Sequence, residues 1–259
     1  MKVTRYPVIL VHGIILKEGH FFKSFGNIEE RLRRNGYTVY TAPTDGFGTI
    51  ENNAAQLKAY VEKILAEEHA EKVNLIAHSK GGLDSICMIK QNGMEDKVAS
   101  LTTISTPHLG SPIASYILNC PEWILKFISS NIDLCYSILG DKNPNSLEVC
   151  RQLQQREKAE LIDFSDKVYC QSYSTTLKSE DDDIIMGIPY YFSKHLEQQK
   201  DTDGLVSVES SKFEHYRGNC EEDSISHSEI VGITINQEKK DKIVKFYLQM
   251  LSELAEMGF

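Results

Sequence analysis

Short apolar runs alternate with amphipathic stretches through the first 105 residues. Residues 8–11, 73–77 and 98–104 are rich in Val, Ile and Leu, and residues 37–41 are β-branched and aromatic; each run is bounded by polar or turn residues. Runs of that length and composition predict buried strands. Between them, residues 21–33, 52–68 and 82–91 repeat apolar positions at helical spacing. In the second of these, Leu57, Tyr60, Val61, Ile64 and Leu65 share one face. Strand and helix in strict alternation predict a parallel sheet with helices on both faces. After Pro107 the alternation stops. Residues 112–165 read as helical and irregular, residues 168–173 restore a strand, and residues 239–257 form a long closing helix. Its buried side is expected to carry Ile243, Phe246, Tyr247, Met250, Leu251 and Leu254. No internal repeat and no Pro-, Gly- or Ser-rich linker divides the chain, so residues 1–259 are expected to form one domain with a helical insertion at 112–165.

Composition narrows the function classes. The 259 residues carry 28 Lys and Arg against 37 Asp and Glu, a formal charge of −9. Nucleic-acid phosphates and anionic membranes both call for a basic face, so neither is expected as a partner. A neutral ester or lipid escapes both objections. No stretch reaches the roughly 18–20 apolar residues of a spanning helix. The start carries no secretory signal, which predicts a cytoplasmic protein, or a secreted one if a leader has been removed. The six cysteines form no C-x-x-C pair and are expected to be buried thiols.

The most informative run is Ala77-His78-Ser79-Lys80-Gly81. It lies between a predicted buried strand and a predicted helix, which is the context of a nucleophile elbow. The serine sits on a sharp turn, so the residues two before and two after it must be small. Ala77 and Gly81 meet that need. The helix N-terminus beyond Ser79 favours developing negative charge. A tetrahedral oxyanion needs two N–H donors. The backbone of Lys80 is one candidate. The other is Ile14, after Val11-His12-Gly13, where Gly13 allows close approach. His12 is expected to bond its own loop, and the Lys80 side chain to be solvated.

A serine on such an elbow is followed in the chain by an acid and then a histidine. Asp203 precedes an apolar run and His227 follows 24 residues later. Asp201 is the rival acid. His195 precedes the acid, and His215 is expected on an exposed helix or turn. In this arrangement His227 would take the Ser79 proton, and Asp203 would orient the imidazole.

Four segments together resemble bacterial triacylglycerol lipases of the Burkholderia/Pseudomonas type. They are residues 6–13 (YPVILVHG), 72–82 (KVNLIAHSKGG), 105–111 (STPHLGS) and 203–207 (DGLVS). The resemblance is strong over residues 6–115 and local again at 201–235. It implies an α/β-hydrolase fold with a mostly parallel central sheet, helices on both faces and a helical lid at 112–165. It implies hydrolysis of acylglycerols or other lipid-like esters, with Ser79, Asp203 and His227 as the triad and Ile14 and Lys80 as the oxyanion hole. No cofactor is expected for the chemistry. Those lipases hold a structural calcium near the catalytic histidine, and the corresponding places here are the acidic run led by Asp181 and Glu229. Ala77 departs from the usual Gly of the family pattern.

Within the insertion, Trp123, Ile124, Phe127 and Ile128 fall at helical spacing, followed by Ile132, Leu134, Cys135, Ile138 and Leu139. Such a stretch can face either the protein or a lipid–water interface. Two other readings share these motifs. One is a hydrolase fold that binds lipid or a protein partner without catalysis. The other is an acyltransferase or thioesterase using the same three residues.

Overall fold

A computed structural model of the chain describes residues 2–14, 23–154, 166–196, 201–220 and 224–259. Six strands form one parallel sheet: β1 Val8–Val11, β2 Val39–Thr41, β3 Val73–His78, β4 Val98–Ile104, β5 Tyr169–Ser174 and β6 His215–Asn219. Their order is β2-β1-β3-β4-β5-β6, with every neighbouring pair parallel. The central strands are buried on both faces, which is why they read as short runs rich in apolar residues rather than as strict alternations. The predicted alternation over the first 105 residues is present, with boundaries moved by a few residues. The first helix, α1, is Ile28–Arg34; the part of the expected 21–33 helix at residues 21–22 lies outside the described residues.

The two faces carry separate cores. On one, α2 (Ile50–Glu67) and α3 (Lys80–Gln91) pack Leu57, Val61, Ile64, Ile86 and Met88 against Ile9, Leu75 and Leu101. On the other, α1 and the long α9 (Gln237–Glu256) pack Ile28, Leu32, Ile243, Tyr247, Met250 and Leu254 against Val8, Leu10 and Ile76. All six residues expected on the inner side of α9 are buried.

Between β4 and β5 stand α4 (Pro112–Leu118), α5 (Glu122–Ile138) and α6 (Ser146–Gln152). A small third cluster of Leu83, Ala114, Val149 and Leu153 seats α4 and α6 on α3. Helix α5 buries none of its residues. Residues 155–165 of the expected insertion lie outside the described residues. Beyond β5 come α7 (Gly187–Leu196) and the single turn α8 (Val208–Ser211).

The structure departs from the sequence reading in three places. His215 lies on β6 rather than on a helix or turn. This edge strand, His-Tyr-Arg-Gly-Asn, alternates between exposed and half-buried and has no apolar run to announce it. Helix α7 falls in a region where the sequence pattern predicted nothing. The cysteines are all free, but only Cys87, Cys170 and Cys220 are buried, while Cys120 and Cys135 are exposed.

The topology positions the site. From β1 the chain passes to β2 on one side and later to β3 on the other. Neighbouring connections therefore leave β1 and β3 in opposite directions and open a crevice beyond their carboxyl ends. His12-Gly13 and Ser79 lie at that crevice.

Candidate active site

Ser79 occupies the single residue between β3 and α3, with φ 55° and ψ −134°. Positive φ in a residue with a Cβ costs on the order of 1–3 kcal/mol, so the surroundings must hold it. The Ser79 N–H donates to the Ile104 carbonyl on β4 at 3.0 Å, and the Ser79 carbonyl accepts from Thr106 Oγ1 at 2.9 Å. Glycines admit the close packing. A Cβ on Gly81 would stand 2.5 Å from the His12 carbonyl oxygen, and one on Gly13 would stand 2.6 Å from Ser79 Cβ. The requirement for a small residue two places after Ser79 is thus a contact with the backbone leaving β1.

His227 and Asp203 come from two loops beyond β5. His227 Nε2 lies 2.9 Å from Ser79 Oγ, and His227 Nδ1 lies 2.8 Å from Asp203 Oδ2. The Asp203 side chain is fully buried, and its Oδ1 accepts from the N–H groups of Leu205 and Val206 at 3.0 and 2.9 Å. Thr175 Oγ1 donates to Oδ2 at 3.1 Å. Burial alone would push this carboxyl up. The His227 charge, its hydrogen bond and the two backbone N–H groups outweigh burial and hold it below the ordinary carboxylate value. An ionised Asp203 can only accept, so Nδ1 carries the imidazole proton and Nε2 accepts from the Ser79 hydroxyl. The rival acid Asp201 is exposed. His215 is engaged elsewhere, with Nδ1 3.0 Å from the Cys170 carbonyl oxygen, and the side chain of His195 lies outside the described residues.

A pattern for the α/β-hydrolase fold matches residues 6–204. The chain belongs to the α/β-hydrolase family. This hydrolase is 30% identical over 255 residues to triacylglycerol lipase 2 of Saccharomyces cerevisiae, across 90% of the chain and 73% of the yeast protein. A triacylglycerol lipase of Burkholderia plantarii is 42% identical over 119 residues, which is 44% of this chain and 33% of that lipase. Among solved structures, Staphylococcus hyicus lipase superposes with a TM-score of 0.72 at 15% identity, over 97% of this chain and 95% of that one, a likeness of fold.

Sequence reasoning missed several residues around the hydrolase site. His78, on the β3 side of Ser79, is buried against His227 with ring centroids 4.5 Å apart. Burial and the neighbouring imidazole push it well below the ordinary histidine value, so it packs as a neutral ring. Thr175 reaches Asp203 only because β5 ends beside that loop, a proximity that no local motif encodes. Thr106, by contrast, sits inside the 105–111 segment already singled out. His12 behaves as expected, with Nδ1 2.9 Å from the Gly13 carbonyl oxygen. Ile14 is partly exposed at the crevice. Among the described residues, the backbone N–H groups of Ile14 and Lys80 donate to no protein acceptor.

The Lys80 side chain is not solvated. It is buried, and its Nζ donates to both oxygens of Asp84 at 2.7 and 3.0 Å. Asn53 Nδ2 adds a bond to Asp84 Oδ2 at 3.0 Å. The pair spans one turn of α3 and ties its first residue to α2. Burial pushes the Asp84 carboxyl up to about 6, although Lys80 and Asn53 pull the other way.

The carboxylates expected to hold calcium do not fit it. Both oxygens of Glu229 accept from Lys239 Nζ, at 2.8 and 2.7 Å. Asp181 is exposed, and Asp183 is taken up by the Ser226 and Ser228 hydroxyls and the N–H groups of Ile185 and Met186. Among the described residues, no group of three or more His, Cys, Asp or Glu is placed to hold a metal ion.

Breaking one side of a buried ion pair costs about 3–5 kcal/mol, whereas replacing both sides with apolar groups is often neutral. Asp84→Leu alone should therefore lower stability by about that amount in urea unfolding, and Lys80→Met/Asp84→Leu should recover most of it. Because the folded Asp84 value lies above the ordinary 3.8, its contribution is fullest below that value and is lost as pH rises through about 6. The double variant should gain on the wild type as pH rises from about 4 to about 7.

Proposed function

We propose that this chain hydrolyses the carboxylic ester bonds of acylglycerols or other lipid-like esters through an acyl-enzyme on Ser79. The observation that carries the reading is the hydrogen-bonded line Ser79–His227–Asp203, with its serine on a positive-φ turn at the head of α3. The relatives' names supply the substrate class.

The chemistry follows from the geometry. Ser79 Oγ attacks the ester carbonyl while His227 Nε2, at 2.9 Å, takes its proton. Asp203 holds the imidazole in the required tautomer and stabilises its charged form. The oxyanion forms above the first turn of α3, where the N–H groups of Lys80 and Ile14 and the helix dipole oppose its charge. His227 then returns the proton to the departing alcohol. A water, activated by the same Nε2, attacks the acyl-enzyme and releases the acid. Every group proposed for these steps is a side chain, a backbone N–H or a water.

We assign the lid role to the helices of the insertion. Helix α5 exposes Trp123 and Phe127 at 73% and 71%, together with Ile128, Leu134 and Ile138. Ile184, Ile185, Ile188, Tyr191 and Phe192, on α7 and the turn before it, are also exposed, and α7 packs beside α4. Apolar surface of that kind suits transient contact with a lipid–water interface. None of the helices described is long and apolar enough to cross a membrane.

A fluorophosphonate probe should label Ser79 in the native protein and leave Ser79→Ala unlabelled; an unlabelled wild type with no ester turnover would indicate a binding module instead. Asp203→Asn should cut kcat for p-nitrophenyl butyrate by about 10⁴-fold, because the wrong imidazole tautomer then faces Ser79. If Asp201→Asn does this instead, the acid is misassigned. Trp123→Glu/Phe127→Glu should lower turnover of aggregated long-chain esters at least about tenfold while leaving soluble short-chain esters within about twofold. Equal losses on both would remove the interfacial role.

A further inference from the structure

The turn that carries His227 is a four-residue unit, Ser226-His227-Ser228-Glu229. The Glu229 N–H donates to Ser226 Oγ at 3.1 Å, and the Ser226 N–H donates to Glu229 Oε2 at 3.1 Å. This is a reciprocal capping box, and the histidine lies inside it. The position of the His227 backbone therefore depends on where the Glu229 carboxylate is held.

That carboxylate is held by one cation. Lys239 Nζ donates to both Glu229 oxygens, at 2.8 and 2.7 Å, and to the Asp182 carbonyl oxygen at 3.3 Å. The Glu229 side chain is buried and that of Lys239 mostly so. Thr234 Oγ1 completes the Oε1 environment at 3.2 Å. Lys239 lies in the first turn of α9, where the helix dipole disfavours a positive side chain, so its placement there depends on the carboxylate it meets. On the far side of the turn, Asp183 accepts from the hydroxyls of Ser226 and Ser228, the two neighbours of His227. Asp182 accepts from Ser224 Oγ at 2.5 Å and from the Ser179 N–H at 2.9 Å. The ammonium thus joins the 179–186 loop, the histidine turn and the start of α9.

We propose that Lys239 is a built-in cation that positions His227, so that this chain fixes its histidine turn without a divalent metal. It is a positioning residue, because it reaches His227 only through Glu229 and the capping box. Loss of the ammonium would leave Glu229 buried and unpaired. The carboxylate would turn toward water and release the Ser226 N–H, and the imidazole would drift from Ser79 Oγ.

The inference rests on the ester-hydrolase reading for the consequence of moving His227, and the test separates the two. Lys239→Met keeps the stem and removes the charge; Lys239→Arg keeps the charge. With a soluble p-nitrophenyl ester, Lys239→Met is expected to lose kcat about ten- to a hundredfold with KM within about twofold, and Lys239→Arg to recover most of the loss. The downfield proton resonance of the His227–Asp203 hydrogen bond should be sharp in the wild type, broadened in Lys239→Met and restored in Lys239→Arg. Wild-type turnover and melting temperature should be indifferent to EDTA and to added calcium. An unchanged kcat and resonance in Lys239→Met overturns the proposal, as does a wild type that EDTA disables and calcium restores. Should Lys239→Met fail to fold, Glu229→Gln decides the matter: it keeps the acceptor for the Ser226 N–H and discards the charge, and unchanged kcat there is equally fatal. The resonance needs no turnover, so a wild type inert to esters removes the ester reading and leaves the positioning claim standing or falling on the spectrum.

Discussion

A single hydrogen bond of 2.9 Å joins Ser79 to His227 across 148 residues of chain, and the rest of the structure serves to hold its two ends. Neither end is held by a rigid element alone. Ser79 sits between a strand and a helix in a conformation that a residue with a Cβ avoids, and His227 sits in a turn outside the sheet. The first end is fixed by contact. The backbone leaving β1 presses against Gly81, β4 accepts the Ser79 N–H, and Thr106 holds the Ser79 carbonyl. The second end is fixed by polar bonds through Asp203, Glu229, Asp183 and Lys239.

Charge is placed inside this molecule in two contrasting ways. Asp203 and Asp84 are both fully buried, yet their carboxyls are displaced in opposite directions. Asp203 accepts two backbone N–H bonds, a threonine hydroxyl and the histidine, enough to overcome burial. Asp84 has one lysine and one asparagine, and burial dominates. An ionised acid beside His227 fixes the tautomer that the proposed chemistry needs. The pair at Lys80 and Asp84 instead pins the first turn of α3, from which the proposed oxyanion donor projects. The surface shows a third arrangement: Trp123, Phe127, Ile128, Leu134 and Ile138 of α5 are exposed to water, a costly arrangement unless an interface covers them some of the time.

Most of the sheet was legible because buried parallel strands leave short runs rich in apolar residues, and α9 was legible because one of its faces is apolar from Ile243 to Ala255. The Ser79 turn was legible because its sterics demand small residues at fixed offsets. What was hidden depended on neighbours distant in sequence. Strand β6 is a polar edge that only its pairing with β5 defines. Lys80 reads as solvated although its partner Asp84 is one turn away, because the packing of α2 that buries the pair comes from residues distant in sequence. Glu229 reads as a metal ligand until α9 delivers Lys239. In each case the residue type was visible and the surroundings that give it its role were not.

The structure of the protein after reaction with a p-nitrophenyl alkylphosphonate tests the central claim most directly. The account predicts phosphorus bonded to Ser79 Oγ, with the phosphoryl oxygen about 3 Å from the N–H groups of both Lys80 and Ile14 and His227 Nε2 facing the remaining ester oxygen. A phosphoryl oxygen directed into solvent, or an adduct on any other residue, would contradict it.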